Sequence, residues 1–580
     1  MSQTATPRSK KTTPNPVPQQ EAPPRVGPHR DTVESLAVAF ILALLIRGFE
    51  AEAFVIPTGS MAPTLMGRHK EITCPQCGNV YTVNASEEAE MPAAFRSQSR
   101  WAELGTCVNC RFQARIDKEP SFKGDRILVM KFLYDLQFLP GATGPQRWDV
   151  VVFKYPEDPE TNYIKRLIGL PNEEVRIQHG DILTRPRNSL PDAPFHLERK
   201  PLKHQQAMQI LVYDDGHRAK ALKEDTRWLR WTPTATEAWK EGPEGTYVAS
   251  KSAGEEWSEL HYQHLVPDSG QWEAALAGTA LPRAPRPTLI TDFYSYNTNV
   301  TTDSYSGDGS TIQPHWVSDL TVSMQLKVES STGRLRFVLV EGGVPNRCEI
   351  DVATGEAVMT HGDAVLSSAL TSIKGPGTYE VAFANVDDRL TLWVDGRTPF
   401  GEGLEYGNES ADTIPVPTAA DLKPVAVATR GAAVSVSGLV LKRDIYYTLE
   451  PGMADYDAPW DRYSSDPAER NLKFFDLLAN PADYAALAMH QPRDYPLGPA
   501  RYMMMGDNSP RSKDGRGWTR RDADWDPSGR ESWEVPESLL IGKAFFVYWP
   551  HGKPFGPNIA INRDFRIPFR PYFERMKWIR

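Results

Sequence analysis

Cysteine is scarce in this chain, with five residues among 580. That excludes the disulfide-dense scaffolds on which small secreted domains rely. Excess positive charge is absent too: the formal net charge is -9 and the pI is near 5.8. A general nucleic-acid binder carries a basic footprint, so no nucleic-acid partner is expected. Long apolar runs are nearly missing. Only Leu36–Ile46 offers 11 uninterrupted apolar residues, against the ~20 that a bilayer span needs. No G-x-S-x-G elbow occurs. No histidine stands in an apolar strand-and-turn setting; His69, His179 and His490 lie among polar neighbours.

Proline, by contrast, is frequent at 49 residues, which favours turns and edge strands over long helical bundles. A hydrophobic content of 40% with 24% charged residues suits a globular body, and the length accommodates about three or four domains. Residues 1–31 are rich in Pro, Ser, Thr, Gln and Lys and read as a disordered cytoplasmic tail. Arg8, Lys10, Lys11, Arg25 and Arg30 precede the apolar run. They hold the N-terminus inside and send the following chain outward. A retained anchor helix over 32–53 fits the run. So does a cleaved leader, because Ala51–Ala53 resembles a small-residue cleavage site. Both place the rest of the chain outside the cytoplasm.

Several stretches rich in Val, Ile and Phe and bounded by Gly or Pro read as buried strands. They are Gly124–Phe132, Arg147–Pro156 and Ile541–Pro550. Asn162–Ile177 reads as two strands joined at Gly169–Asn172. Between 286 and 442, polar and apolar residues alternate in short runs such as Asp319–Val328 and Arg389–Arg397. Such runs, separated by Gly, Asn and Asp, predict an antiparallel sandwich. Asp387, Asp388 and Asp395 suit hairpin turns and a calcium site equally. Residues 185–285 carry scattered tryptophans and no clear period, and Pro467–His490 is helical in composition.

The stretch FVIPTGSMAPTL (Phe54–Leu65) sets a lone serine, Ser60, in a Pro/Gly-punctuated apolar segment. A serine hydroxyl is a poor nucleophile without a positioned base. With the histidines unsuited, Lys165 is the candidate, since Ser-Lys dyads are an established variant. It lies mid-strand, and alternation puts Tyr163 and Leu167 on its face. A neutral amine at pH 7 must give up about 4 kcal/mol of preference for the charged form. Desolvation can supply that. Taken alone, a mid-strand lysine is more often a snorkelling surface side chain.

Four blocks occur in order: PTGSMAPTL, GDRILVMKF, RWDVVVFKYP with YIKRLIGLPNEEV, and GDNSPRSKDGR. Together they resemble the boxes of bacterial type I signal peptidases, a peptidase family with a LexA-like catalytic core. The resemblance covers about 33–70, 121–184 and 495–550 and leaves most of the chain outside it. It implies Ser60 as nucleophile and Lys165 as general base. It further implies Thr58 as oxyanion donor beside the Ser60 N–H, and Ser512 as the group orienting the lysine. Asp514 and Arg516 fall at a supporting ion pair, and Asp507 in the same block is structural. Arg166, pointing to the opposite face, is a structural candidate. SPRS replaces a more acidic stretch common in the family, which puts the detail of that turn in doubt. The activity implied is endoproteolytic removal of signal peptides from exported preproteins after A-x-A-like sites, with no catalytic cofactor. The implied location is the lipid bilayer of the inner membrane, single-pass, with the catalytic domain extracytoplasmic. Shallow apolar pockets are expected, with Ile56 and Met61 as walls.

Cys74, Cys77, Cys107 and Cys110 form two CxxC pairs separated by 29 residues. The spacing suits a structural tetrahedral zinc in an inserted ribbon over 72–116. Disulfides are the alternative in an oxidising compartment. Cys348 reads as buried and inert.

The expected fold class is therefore mainly β. A signal-peptidase-type β catalytic core carries an N-terminal membrane helix and an inserted antiparallel β-sandwich. The first stretch of the core spans 54–184 and the large insertion 185–445; a helical return segment with the second stretch of the core spans 446–580. Residues 286–442 resemble concanavalin-like or laminin-G-like sandwiches. Many such modules bind glycans or proteins, which makes an envelope glycan or protein the candidate partner, while a structural or spacing domain is the plainer reading. An inactive or specialised envelope-binding protein is the rival to the peptidase, and the presence of Ser60, Lys165 and Ser512 together argues against it. A self-cleaving repressor-type protease is a third reading, opposed by the apolar N-terminal run and the lack of a basic domain.

Overall fold

Alternating burial and β-branched side chains favour strands, and the computed structural model is mainly β, with 42% strand and 15% helix. It describes residues 28–45, 51–90, 102–131, 134, 144–234, 239–250, 256–298, 315–407, 415–451, 455, 467–487, 492–519, 529–562 and 565–580. The chain divides into two units, Met1–Ala51 and Glu52–Arg580.

The first unit holds an 18-residue helix, Pro28–Leu45. Most of the tail expected over 1–31 lies outside the described residues. The anchor expected over 32–53 is not matched in length. The helix stops at Leu45, and Ala51–Val55 is a strand. The sequence itself turns polar here, with Arg47, Glu50 and Glu52 closing the apolar run. Among the described residues, no helix is long and apolar enough to cross a membrane.

The second unit is built on a seven-stranded sheet. Its spatial order is Ala51–Val55, Arg126–Met130, Leu540–Trp549, Val150–Tyr155, Asp158–Gly169, Arg501–Met505 and Glu534–Pro536. The three runs read as buried strands all fall in this sheet. Val150–Tyr155 and Asp158–Gly169 form a hairpin in which Val151 faces Lys165 and Val150 faces Arg166. The chain then turns through Asn172, at φ 65°, into Glu173–Gln178. That strand pairs on one side with Asp181–Pro186 and on the other with Arg493–Pro496. The returning chain thus re-enters beside the point where the insertion leaves, so a long insertion costs the core no register.

Two antiparallel sheets of eight and seven strands form the inserted sandwich. Its boundaries are wider than 286–442. Strands Ile210–Asp214, Trp239–Glu241 and Tyr247–Ala249 join one sheet, and Trp231–Pro233 and Ser258–Tyr262 join the other. Trp231, Trp239 and Tyr262 are buried in its core together with Cys348. Asp387 and Asp388 both have φ near 52°, between strands Gly377–Asn385 and Arg389–Val394. Two successive positive φ values are the signature of a type I′ hairpin turn. The sandwich is followed by helices Pro467–Leu478 and Pro481–Leu487, in the stretch read as helical.

One buried ion pair ties the pieces of the core together. Arg166 donates from Nε and Nη2 to the two carboxylate oxygens of Asp507, both at 2.6 Å. Thr64, four residues past Ser60, donates to Asp507 Oδ2 at 2.5 Å. Both charged side chains are 0% exposed. Removing one partner from such a pair strands the other charge, which typically costs about 3–5 kcal/mol. Asp507→Ala is therefore expected to destabilise the fold by about that amount, and Arg166→Met with Asp507→Leu to recover most of it. Thermal unfolding of the parent, of Asp507→Ala and of the Arg166→Met/Asp507→Leu double variant checks this. A double variant as unstable as Asp507→Ala alone contradicts the coupling.

Candidate active site

Ser60 stands in a tight turn that leaves strand Ala51–Val55. Ala62 N–H donates to Gly59 O at 3.1 Å and Leu65 N–H to Met61 O at 2.9 Å. The turn is pinned at its base by Asp125. Its N–H donates to Met66 O, its carboxylate accepts from Met66 N–H, and its carbonyl accepts from Ile56 N–H. Met61 and Leu65 turn inward and pack with Ile56, Ile127, Val129 and Val150. This corrects the expectation that Ile56 and Met61 wall a substrate pocket. They are 2% and 0% exposed because the turn needs them as its core plug.

Lys165 comes from Asp158–Gly169, the second strand of the hairpin with Val150–Tyr155, and reaches across to the turn. Its Nζ donates to Ser60 Oγ at 2.5 Å. Both residues are buried, Lys165 at 4% exposure and Ser60 at 8%. Desolvation is the main cause of a lysine pKa lowered to about 8; the Arg516 charge also lowers it, while Asp514 and Asp507 pull it back upward. The Tyr163 ring, on the same face as alternation requires, lies 5.5 Å from Nζ. When Nζ is neutral its lone pair can accept the Ser60 proton across the same short contact.

The Met503–Trp518 block closes the site from the third side. Gly506 is where its backbone meets the Ser60 turn. A Cβ there would lie 2.3 Å from Ser60 O and 2.3 Å from Ser512 Oγ. Ser512 is fully buried beside it, and its Oγ has no well-formed hydrogen bond among the described residues, to Lys165 or to any other group. The structure thus brings Ser512 to the site without the direct lysine contact that the resemblance implies. Asp514 and Arg516 form a fully buried pair at 2.7 Å. Burial acts to raise the Asp514 pKa, yet Arg516, the Gly506 N–H and the neighbouring Ser512 hydroxyl hold it below the usual carboxylate range. Arg516 also donates to Thr448 O at 2.6 Å and to Ser509 Oγ at 2.7 Å, which fixes the block against the end of the insertion. Thr58 is exposed, with no hydrogen bond to its hydroxyl, and the Ser60 N–H donates to no group among the described residues.

Three residues escaped the sequence reading. Asn508 donates its N–H to Ser60 O and its side-chain amide to Gly59 O, both at 3.1 Å. Asn297, from the insertion, exchanges two amide hydrogen bonds with Asn508, each 2.8 Å. Tyr296 covers Gly59, where a Cβ would lie 2.2 Å from the ring. Asn508 sits inside a block already singled out. Nothing local marks Asn297 or Tyr296.

The four CxxC cysteines are brought together and buried. Cys74 and Cys110 sulfurs are 3.5 Å apart and those of Cys77 and Cys107 3.6 Å. All are free thiols, well beyond the ~2.05 Å of a disulfide bond.

Residues 115–224 match the family described as "Signal peptidase, peptidase S26". That interval contains Lys165, while Ser60 and Ser512 fall outside it. Signal peptidase I of Pseudomonas fluorescens is 52% identical over 60 residues, which is 9% of this chain and 21% of the relative. Signal peptidase I of Buchnera aphidicola is 28% identical over 143 residues, 24% of this chain and 28% of the relative. The matches thus span well under half the length of these relatives. Among solved structures, the carbohydrate-binding module CBM66 from Bacillus subtilis aligns with 37% of this chain and 95% of its own. The identity is 9% and the TM-score 0.22, a likeness too low to establish anything about this chain. The sequence likenesses support a type I signal peptidase.

Proposed function

We propose that the chain is a Ser/Lys endopeptidase that removes signal peptides from exported preproteins after small residues. The observation that carries this reading is the 2.5 Å contact between a buried Lys165 Nζ and Ser60 Oγ. Its chemistry follows from the geometry. Neutral Lys165 takes the Ser60 proton as Oγ adds to the scissile carbonyl carbon. The developing oxyanion is received by the Ser60 N–H and the Thr58 hydroxyl, where each donor is worth ~10²–10³ in rate. The protonated amine then gives its proton to the leaving nitrogen as the C–N bond breaks. Water, deprotonated by the same lysine, hydrolyses the Ser60 ester. Ser512, Asp514 and Arg516 act by positioning, since they keep the third wall of the lysine pocket dry and charge-balanced.

The likeness to enzymes named signal peptidase I supports a preprotein as substrate. The sequence supports the setting. Ser60 follows Ile46 by 14 residues, so an N-terminal segment held at the inner membrane would keep the nucleophile near the point where a signal peptide ends. The catalytic body is then extracytoplasmic.

Ser60→Ala is expected to lower cleavage of a preprotein with an Ala-x-Ala site by about 10⁴-fold or more while the thermal transition stays in place. Retained activity in a gel-based cleavage assay refutes the nucleophile.

The pH dependence follows from Lys165. Only its neutral form is a base, so kcat/KM should rise with pH through an apparent pKa of about 8 and level off above it. Folding carries the opposite burden. The unfolded chain holds the lysine proton up to 10.5 and the folded chain only up to about 8. Stability therefore rises with pH between those values and is penalised by about 3 kcal/mol at pH 7. Lys165→Met should accordingly be inactive yet more stable than the parent at pH 7, by about 2–3 kcal/mol, with the gain fading toward pH 10. Melting curves across that range decide it; an equally or less stable variant at pH 7 argues that burial does not lower the lysine pKa.

A further inference from the structure

We propose that Cys74, Cys77, Cys107 and Cys110 bind a zinc ion, and that the zinc-bound module is one jaw of a clamp on the nucleophile turn. The other jaw is the insertion segment Tyr294–Thr298. The metal site stands independently of the peptidase reading; the effect of the clamp on cleavage rests on it.

The donor set fits the metal. A tetrahedral ion with Zn–S bonds of ~2.3 Å sets its sulfurs ~3.8 Å apart. The two measured separations are 3.5 and 3.6 Å, and all four sulfurs lie within 4.8 Å of one another. The backbone is arranged for it twice over. In the first knuckle Gly78 N–H donates to Cys74 O and Cys74 N–H to Asn79 O, each at 2.9 Å. In the second, Arg111 N–H donates to Cys107 O at 2.9 Å and Cys107 N–H to Phe112 O at 3.0 Å. The fourth residue after the leading cysteine is left-handed in both, Gly78 at φ 75° and Arg111 at φ 63°. A left-handed arginine is a strained choice, which persists where the surroundings over-determine it. Asn79 Nδ2 approaches Cys107 Sγ at 3.9 Å, as an outer-shell donor to a thiolate would. Arg111 has a buried Nε without a hydrogen-bond partner. Binding would convert four thiols and Zn²⁺ into a tetrathiolate of charge -2, releasing four protons and giving Arg111 a counter-charge.

The module is seated where it matters. It is inserted between Arg68 and Gly124, the two ends that close the Ser60 turn. From Cys107 a short path leads to the nucleophile. The adjoining Thr106 N–H donates to Thr298 Oγ1 at 3.0 Å. Asn297, next in the chain, pairs with Asn508, which holds Gly59 O and Ser60 O. Tyr296 presses on Gly59 from the same segment.

The test uses the purified full-length chain. Elemental analysis should give about one zinc per chain, and cobalt exchange should produce the visible bands of a tetrahedral thiolate site. Cys77→Ser with Cys110→Ser should lose both. Zinc below about a tenth per chain, or two disulfides by mass spectrometry, overturns the metal site. Hydrogen exchange then tests the clamp. On chelation of the wild type, amides of the Ser60 turn should exchange about tenfold faster. Thr298→Val should reproduce that loosening with zinc retained. Unchanged exchange of the turn in both cases overturns the clamp and leaves the Ser60 chemistry untouched, whereas an inactive wild type whose cysteine module holds zinc and whose Ser60 turn is protected refutes the peptidase reading alone.

Discussion

A lysine kept dry 2.5 Å from a serine hydroxyl is the constraint on which the rest of the structure depends. Desolvation is what moves Lys165 toward neutrality, and desolvation is an environment that no single residue supplies. Three separate segments have to close around the amine: the Ser60 turn, the Asp158–Gly169 strand and the Met503–Trp518 block. Each brings polar backbone that must be satisfied internally. Asp125, Asn508 and Asp514 do this with side chains that accept or donate to main-chain groups of the turn and the block. The cost of a buried amine is thus met by a set of hydrogen bonds that simultaneously fix the geometry of attack.

Adjacent positions on one strand show how strongly the surroundings decide the fate of a cation. Lys165 and Arg166 differ by one residue and therefore face opposite sides of the sheet. Arg166 meets Asp507 in a two-point ion pair, which raises its affinity for the proton despite complete burial. Among the described residues Lys165 forms no ion pair; Asp514, which acts on it through its charge, is paired with Arg516. Asp514 still pulls the Lys165 pKa upward through its charge, and the charge of its partner Arg516 works against that pull.

The catalytic strands and the positions of Ser60, Lys165 and the Gly506–Arg516 block were legible in the sequence because each carries a local signal. Runs of Val, Ile and Phe fix the strands, and alternation assigns Tyr163, Lys165 and Leu167 to one face. The cysteine quartet was legible from spacing alone. What could not be read shares a different property. The early sandwich strands, such as Trp239–Glu241 and Tyr247–Ala249, are three residues long, too short to show a period. Tyr247–Ala249 pairs with Val434–Arg443, far along the chain, and Trp239–Glu241 pairs in turn with Tyr247–Ala249. Asn297 is separated from Asn508 by 211 positions, and no local pattern announces a reciprocal amide pair at that distance. Hydropathy gave only 11 apolar residues for the anchor expected over 32–53, and the described helix covers Pro28–Leu45.

The boundary of the family resemblance is accordingly not the boundary of the site. Ser60, Lys165 and Asp514 all lie in stretches that resemble the peptidase boxes, yet Asn297 and Tyr296 belong to the insertion and touch Gly59 and Asn508 directly. A spacer domain tethered through flexible joints would leave the nucleophile turn solvated on that side. Here the turn is covered, and the covering residues are held in turn by Thr106 of the cysteine module and by the Arg443 guanidinium, which donates to Asp292 O at 2.6 Å and Phe293 O at 3.1 Å. Arg443 lies in a sandwich strand. Arg443 thereby joins the sandwich to the chain segment whose Tyr296 and Asn297 meet Gly59 and Asn508.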